Sequence, residues 1–279
     1  MWANNLLYLA FSMQVIFISW YMPKYLIKQS KNILDKHPEK QYPKLYPISR
    51  DAIDMGINNF KNINRVILLI GIYIIAYGAY SQSEEMLNVD SSAILIGFFL
   101  LQYVPFMIME FTGFKFLKLM RLANKQSIRK ADLQPRKLIN YFSPLHLSLL
   151  VISNLVFIGV VEYFVRHPFE HFGGYSNLLG LVFFDIFMFS IIAWNIYGKT
   201  KNPHLSTKDQ TVQIEKIIKV SVLSIMMVTV FLTLELIMSA TGTRYLIDTL
   251  MSVYFLLLAF IGMSAYRLDN LNFEVYRES

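Results

Sequence analysis

Cysteine is absent from the 279 residues. That excludes disulfides, thiolate-bound zinc, iron–sulfur clusters, thiol catalysis and palmitoylation together. Histidine is nearly as scarce, at five: His37, His146, His167, His171 and His204. Five are too few for the multi-histidine site of a membrane di-iron oxygenase. Only His146 falls in an apolar run, so a bis-histidine haem between helices is not expected either, and no cofactor is. The sequence also lacks an aspartate-rich prenyltransferase motif, a Gly-x-Ser-x-Gly and a His-Glu-x-x-His. Its last apolar run holds no lysine for retinal. No enzyme or family signature is left at the level of motifs.

Charge is the other shortage. Only 16% of residues are charged, where a soluble domain carries about 25%. Hydrophobic residues reach 55% and aromatics 15%. Apolar runs of about 20 residues recur along the whole chain, the length needed to cross a bilayer as a helix. The expected fold is therefore all-α, one polytopic membrane bundle covering 1–279. Seven spans are predicted, at about 5–22, 66–80, 92–111, 144–165, 176–198, 217–240 and 245–266. Pro23 and Lys24 are expected to close the first. No basic residue precedes it and no small-residue cleavage site follows, so it reads as a retained helix. Ser143 and Pro144 supply an N-cap and a first-turn proline for the fourth.

The net charge of +7 is distributed in a way that points to a membrane surface and away from nucleic acid. Segments 24–65, 114–137, 199–219 and 267–279 hold 24 of the 26 Lys and Arg. Only Arg166 and Arg244 lie on the other side of the predicted spans. By the positive-inside rule the N-terminus is outside and the C-terminus cytoplasmic. The cytoplasmic loops 24–65 and 114–137 are basic. Within the first, Ser49 is expected to cap a short helix with Ile53, Ile57, Phe60 and Ile63 on one face. In the second, Phe114–Asn124 is expected to continue the third helix. Both are read as amphipathic surfaces lying on anionic headgroups, with the bilayer as partner and a protein partner at these loops as the alternative. A bacterial inner membrane is the expected residence.

Ionisable residues inside the spans are the strongest functional pointer. Each costs about 2.5–3.5 kcal/mol at a helix centre on insertion scales. Five qualify: Glu110, Glu162, Asp185, Glu235 and Asp248. Glu110 is expected to snorkel towards Lys115. The other four fall in the outer half and form the candidate ion- or ligand-binding set. Converging, they would bind a cation or exchange a proton. Standing apart, Asp185 or Glu235 would instead cap a packing hydrogen bond to Asn154, Asn195 or a threonine. Three functions follow. A transporter or channel for a small cation or proton-coupled solute comes first. A non-enzymatic sensory or accessory protein acting through its basic loops comes second. A lipid-modifying enzyme using Asp185 and Glu235 comes third. His167-Pro-Phe-Glu-His171 is read as a loop because of Pro168 and Gly173-Gly174, with at best a weak metal site. Pro105 is expected to kink the third span.

Overall fold

The computed structural model describes residues 2–81, 92–123, 141, 143–198, 202–205, 207–266 and 272–277. They fold into helices joined by turns. In chain order these are α1 (Trp2–Ile16), α2 (Met22–Lys36), α3 (Arg50–Ser81) and α4 (Ser92–Ala123). Then follow α5 (Pro144–Arg166), α6 (Asn177–Tyr197), α7 (Thr207–Ala240) and α8 (Ile247–Ala265). Counting α1 and α2 as one, seven helices among the described residues are long and apolar enough to cross a membrane.

Proline does not end the first helix. A π-helical turn at Phe17–Tyr21 joins α1 to α2, and Met22 donates its amide to the Phe17 carbonyl five residues back. Pro23 has no N–H to give and would clash with a regular α turn before it. The wider turn absorbs the mismatch, so the helix runs on to Lys36. The separate short helix expected after Ser49 is likewise absent. Arg50–Ser81 is one helix of 32 residues. Its first half stays ordered because Phe60 is buried against Met22 and Leu26 rather than spread on headgroups. Arg50 locks the hairpin by donating to the Leu34 carbonyl at 2.7 Å and to Asp35 at 2.7 Å, satisfying an acceptor at the end of α2. The third span continues past its apolar run to Ala123, as expected. Pro144 opens α5 behind Ser143, although the Ser143 side chain makes no cap bond.

The bundle has two halves. In one, α1 packs on α8 and α3, α3 on α4, and α4 on α8. Its core stacks Phe11, Val15, Leu95, Phe98 and Phe255 above Ile18, Met22, Phe106 and Ala259. Gly71 permits the close approach of α1, α3 and α4: an added Cβ would stand 2.7 Å from both the Phe98 ring and a Val15 methyl. In the other half, α5 and α6 pack on α7 through Leu150, Ile192, Ile196 and Ile225 at one level and Phe157, Val161, Leu181 and Leu236 at another. Contact between α7 and α8 joins the halves.

A smaller cluster closes one end. Tyr42, Met120, Leu205 and Tyr276 come together from four separated stretches of chain. The four belong to or adjoin the lysine- and arginine-rich segments, so this is the basic end of the bundle. At the opposite end the Arg244–Leu246 turn reaches α1. The helices α1–α2, α3, α4 and α7 have 32 to 35 residues, which is about 48–53 Å at 1.5 Å per residue. A bilayer core is about 30 Å. The surplus builds the basic end.

Candidate functional site

The four predicted carboxylates have four different surroundings. Glu162, one turn from the end of α5, pairs with Arg166 at 2.8 Å and accepts from the Tyr175 hydroxyl at 2.8 Å. It pins the 167–176 connection to the helix. Within that connection His171 has positive φ, and the His167 ring stacks on Tyr163 at 4.6 Å. It is a loop, and among the described residues no group of three His, Asp or Glu is placed to hold a metal.

Asp185 sits half-buried on α6. It accepts a 3.0 Å bond from the Asn154 amide on α5, and the Asn154 oxygen accepts from Thr229 on α7 at 2.9 Å. One amide thus ties all three helices of its half. The second Asp185 oxygen has no protein partner. A shallow cavity of about 490 Å³ lies beside it, walled by Val182, Ile186 and Phe189. Glu235 is on α7, half-buried, within the field of Arg244. Asp248, in the first turn of α8, is 2% exposed. Glu110 differs from expectation, since its partner is the Tyr266 hydroxyl at 3.0 Å rather than Lys115. Tyr266 follows α8 directly, so this bond spans two helices where the sequence suggested a local pair.

The deepest polar groups carry no charge at all. The Gln14 amide on α1 donates to Gln102 on α4 at 2.9 Å, and Gln102 donates to the Ser19 hydroxyl at 2.9 Å. Both glutamines are fully buried and Ser19 nearly so. The free oxygen of Gln14 has no partner in the protein, nor do the hydroxyls of Thr249 and Ser252 on α8. Asp248 stands on that same stretch of α8, and α8 packs directly on α1. This column of Gln14, Gln102 and Ser19 contains no ionisable residue. Its signal in the sequence is only an amide interrupting an apolar run at Gln14 and again at Gln102.

No family model, curated protein or solved structure matches this chain.

At the basic end the polar contacts are of another kind. Tyr42 donates to Glu274 at 2.9 Å, Lys44 to the Arg277 carbonyl at 3.0 Å, and Asn202 to the Tyr276 hydroxyl at 2.7 Å. His37 stacks on Phe273 at 4.5 Å and meets Tyr42 edge-on. The bond to Glu274 pushes the Tyr42 phenol above its ordinary range. Burial, and then the nearby Lys44 ammonium, hold the His204 imidazole below its ordinary value.

Proposed function

We propose that this multi-pass membrane protein is a transporter or channel for a small cation or a proton-coupled solute. In this reading its path runs through the half built by α1, α3, α4 and α8. The observation that supports it is the buried column Gln14–Gln102–Ser19 with the unpartnered Gln14 oxygen, Thr249, Ser252 and the buried Asp248. In lipid an unsatisfied polar group costs several kcal/mol, and apolar side chains would fill the same core more favourably. Waters or a solute passing through satisfy such groups; tight packing alone does not. Asp248 is the acidic member of this path, whereas Asp185 ties helices in the other half. The basic end faces the cytoplasm in this proposal, in line with the positive-inside rule, and a bacterial inner membrane is the residence it implies.

The test is flux in proteoliposomes holding a pH-sensitive dye, with imposed proton, Na⁺ and K⁺ gradients. Wild-type protein should dissipate at least one gradient faster than empty vesicles. Asp248→Asn and Gln102→Leu should each slow that flux by about tenfold or more, the effect of losing an interaction worth about 1.4 kcal/mol. Wild-type flux no faster than empty vesicles for all three ions, or full flux in both variants, would overturn the assignment. The accessory reading rests on a different observation, the folded cluster at the basic end. It predicts a co-purifying protein that is lost on reversing the charges of Lys115, Lys118 and Arg121.

A further inference from the structure

A groove of about 690 Å³ opens between the α1–α2 helix and the first half of α3. Five cationic side chains line it: Lys24, Lys28 and Lys31 from α2, and Lys61 and Arg65 from α3. All five residues are exposed. Among the described residues none of the five has a carboxylate within ion-pair distance, the ion pairs being those of Arg50, Arg166, His171 and Arg277. The one acid in the lining, Asp35, is already held by Arg50 at 2.7 Å. The groove therefore keeps an uncompensated charge of about five, where mutual repulsion makes an anion the natural occupant.

Its position along the helices narrows the class of anion. Arg65 is the last charge on α3 before an uncharged stretch that begins at Val66 and runs to the helix end. Leu68 and Ile27 line the groove next to the cations. Trp20 lines it too, half-exposed, with the Lys24 ammonium 4.9 Å above its ring. A tryptophan with an apolar body and polar edge marks the headgroup level of a membrane. Buried in the wall, Asn64 donates its amide to the Phe60 carbonyl at 2.8 Å and carries an amide oxygen with no partner in the protein. One end of the groove is thus cationic and the other apolar.

We propose that this groove is a binding site for an anionic phospholipid. Its phosphate is held by Lys24, Lys28, Lys61 and Arg65, and its acyl chain lies along Leu68 and the lipid-facing side of α3. A hydroxyl-bearing headgroup such as phosphatidylglycerol also offers a donor to the polar wall at Asn64. Basic pockets between helices at the membrane surface recognise lipid phosphates in this way, and guanidinium and ammonium groups share the task. Ser19 belongs both to the groove lining and to the buried column, so the two sites adjoin, but they are tested by separate readouts, lipid binding and ion flux.

The experiment is native mass spectrometry of the full chain in mild detergent at physiological ionic strength. It is titrated with phosphatidylglycerol, with phosphatidylcholine of the same chains, and with inorganic phosphate. Wild-type protein should hold phosphatidylglycerol at least about tenfold more tightly than phosphatidylcholine. The triple substitution Lys24→Gln, Lys61→Gln, Arg65→Gln should lower it to the phosphatidylcholine level. The equal charge change on α4, Lys115→Gln, Lys118→Gln, Arg121→Gln, should leave the preference standing. All six positions are exposed, so neither variant disturbs the core. Each variant's melting point in phosphatidylcholine alone verifies this, and the single Lys28→Gln provides a milder second reading. Three results would overturn the proposal: no headgroup preference, equal loss in the α4 variant, or displacement of the lipid by inorganic phosphate. The second reduces the effect to general surface charge, and the third makes the ligand a soluble phosphate.

Discussion

A carboxylate inside an apolar bundle has to be held by something, and for Asp185 it is an amide. Asn154 donates to Asp185 and accepts from Thr229, so it uses both ends of its side chain to join three helices. What matters there is an acceptor on α6 rather than a negative charge. Asp185→Asn, whose carbonyl accepts equally well, should melt close to the wild type. Asp185→Leu should be destabilised by about 1 kcal/mol, the usual scale of a hydrogen bond between membrane helices. Equal melting of the two variants in detergent would show that the bond contributes nothing. The sequence made Asp185 visible because it is charged, and Asn154 was among the partners its position allowed. Gln14 and Gln102 were illegible for the converse reason. An uncharged amide in an apolar run has the same composition whether it faces lipid, a neighbour or a water-filled path. Only the pairing of α1 with α4, 88 residues apart, reveals which.

At the scale of the helix, apolar run length located all seven long apolar helices, and it fell short at the basic ends of α1–α2, α3 and α7. Pro23 reads as a stop because proline breaks a regular α turn, but a π turn five residues long removes the conflict. Arg50–Arg65 reads as loop and short helix because it is polar. It is continuous with the crossing because Phe60 and its neighbours find α2 to pack on. Such partners are tertiary, and no window of sequence contains them. Glycine gives an element-scale prediction. Gly71 and Gly78 lie two turns apart on α3, and a methyl at either meets α1. At Gly71 it would meet the stiff Val15 side chain and the buried Phe98 ring. Gly71→Ala should therefore lose about 1–3 kcal/mol, the usual result of overpacking. At Gly78 the obstacle is the hydroxyl end of Tyr8, which can swing aside. There the gain in helix propensity, about 1 kcal/mol, should roughly cancel the clash. Thermal melts of both variants in one detergent check the ranking; a Gly78→Ala melt below that of Gly71→Ala would refute it.

Among the described residues, the two half-bundles meet along α7 and α8, and the cluster at the basic end gathers further stretches of chain from both. His204 belongs to that cluster, edge-on to Tyr276 at 5.7 Å. Burial and Lys44 hold its imidazole below the ordinary value of 6.5, so folding favours the neutral ring. The stability it lends is complete above that ordinary value and is lost as pH falls through the lower folded one. Wild-type protein should accordingly melt at a lower temperature at pH 5.5 than at pH 7. His204→Phe, which keeps a ring against Tyr276, should flatten the slope; an unchanged slope would assign it to other groups. None of this was legible beforehand. His204 lies next to Pro203 in a polar stretch, and nothing local announces that Tyr276 and Lys44 will enclose it.

The bond from Tyr42 to Glu274 spans 232 residues, and that distance has a meaning in time. A ribosome that has released Tyr42 must still deliver six further long apolar helices before Glu274 emerges. Until then the Tyr42–Leu45 turn and the buried side of Met120 wait without their final cover. The early membrane hairpins can insert and pair as they appear, yet the clasp over their basic ends closes last. A chain interrupted before Phe273 would leave an aromatic surface bare, which is the kind of mark that quality-control proteases read. The same contact thereby distinguishes a chain that carries Phe273–Tyr276 from one cut short before it.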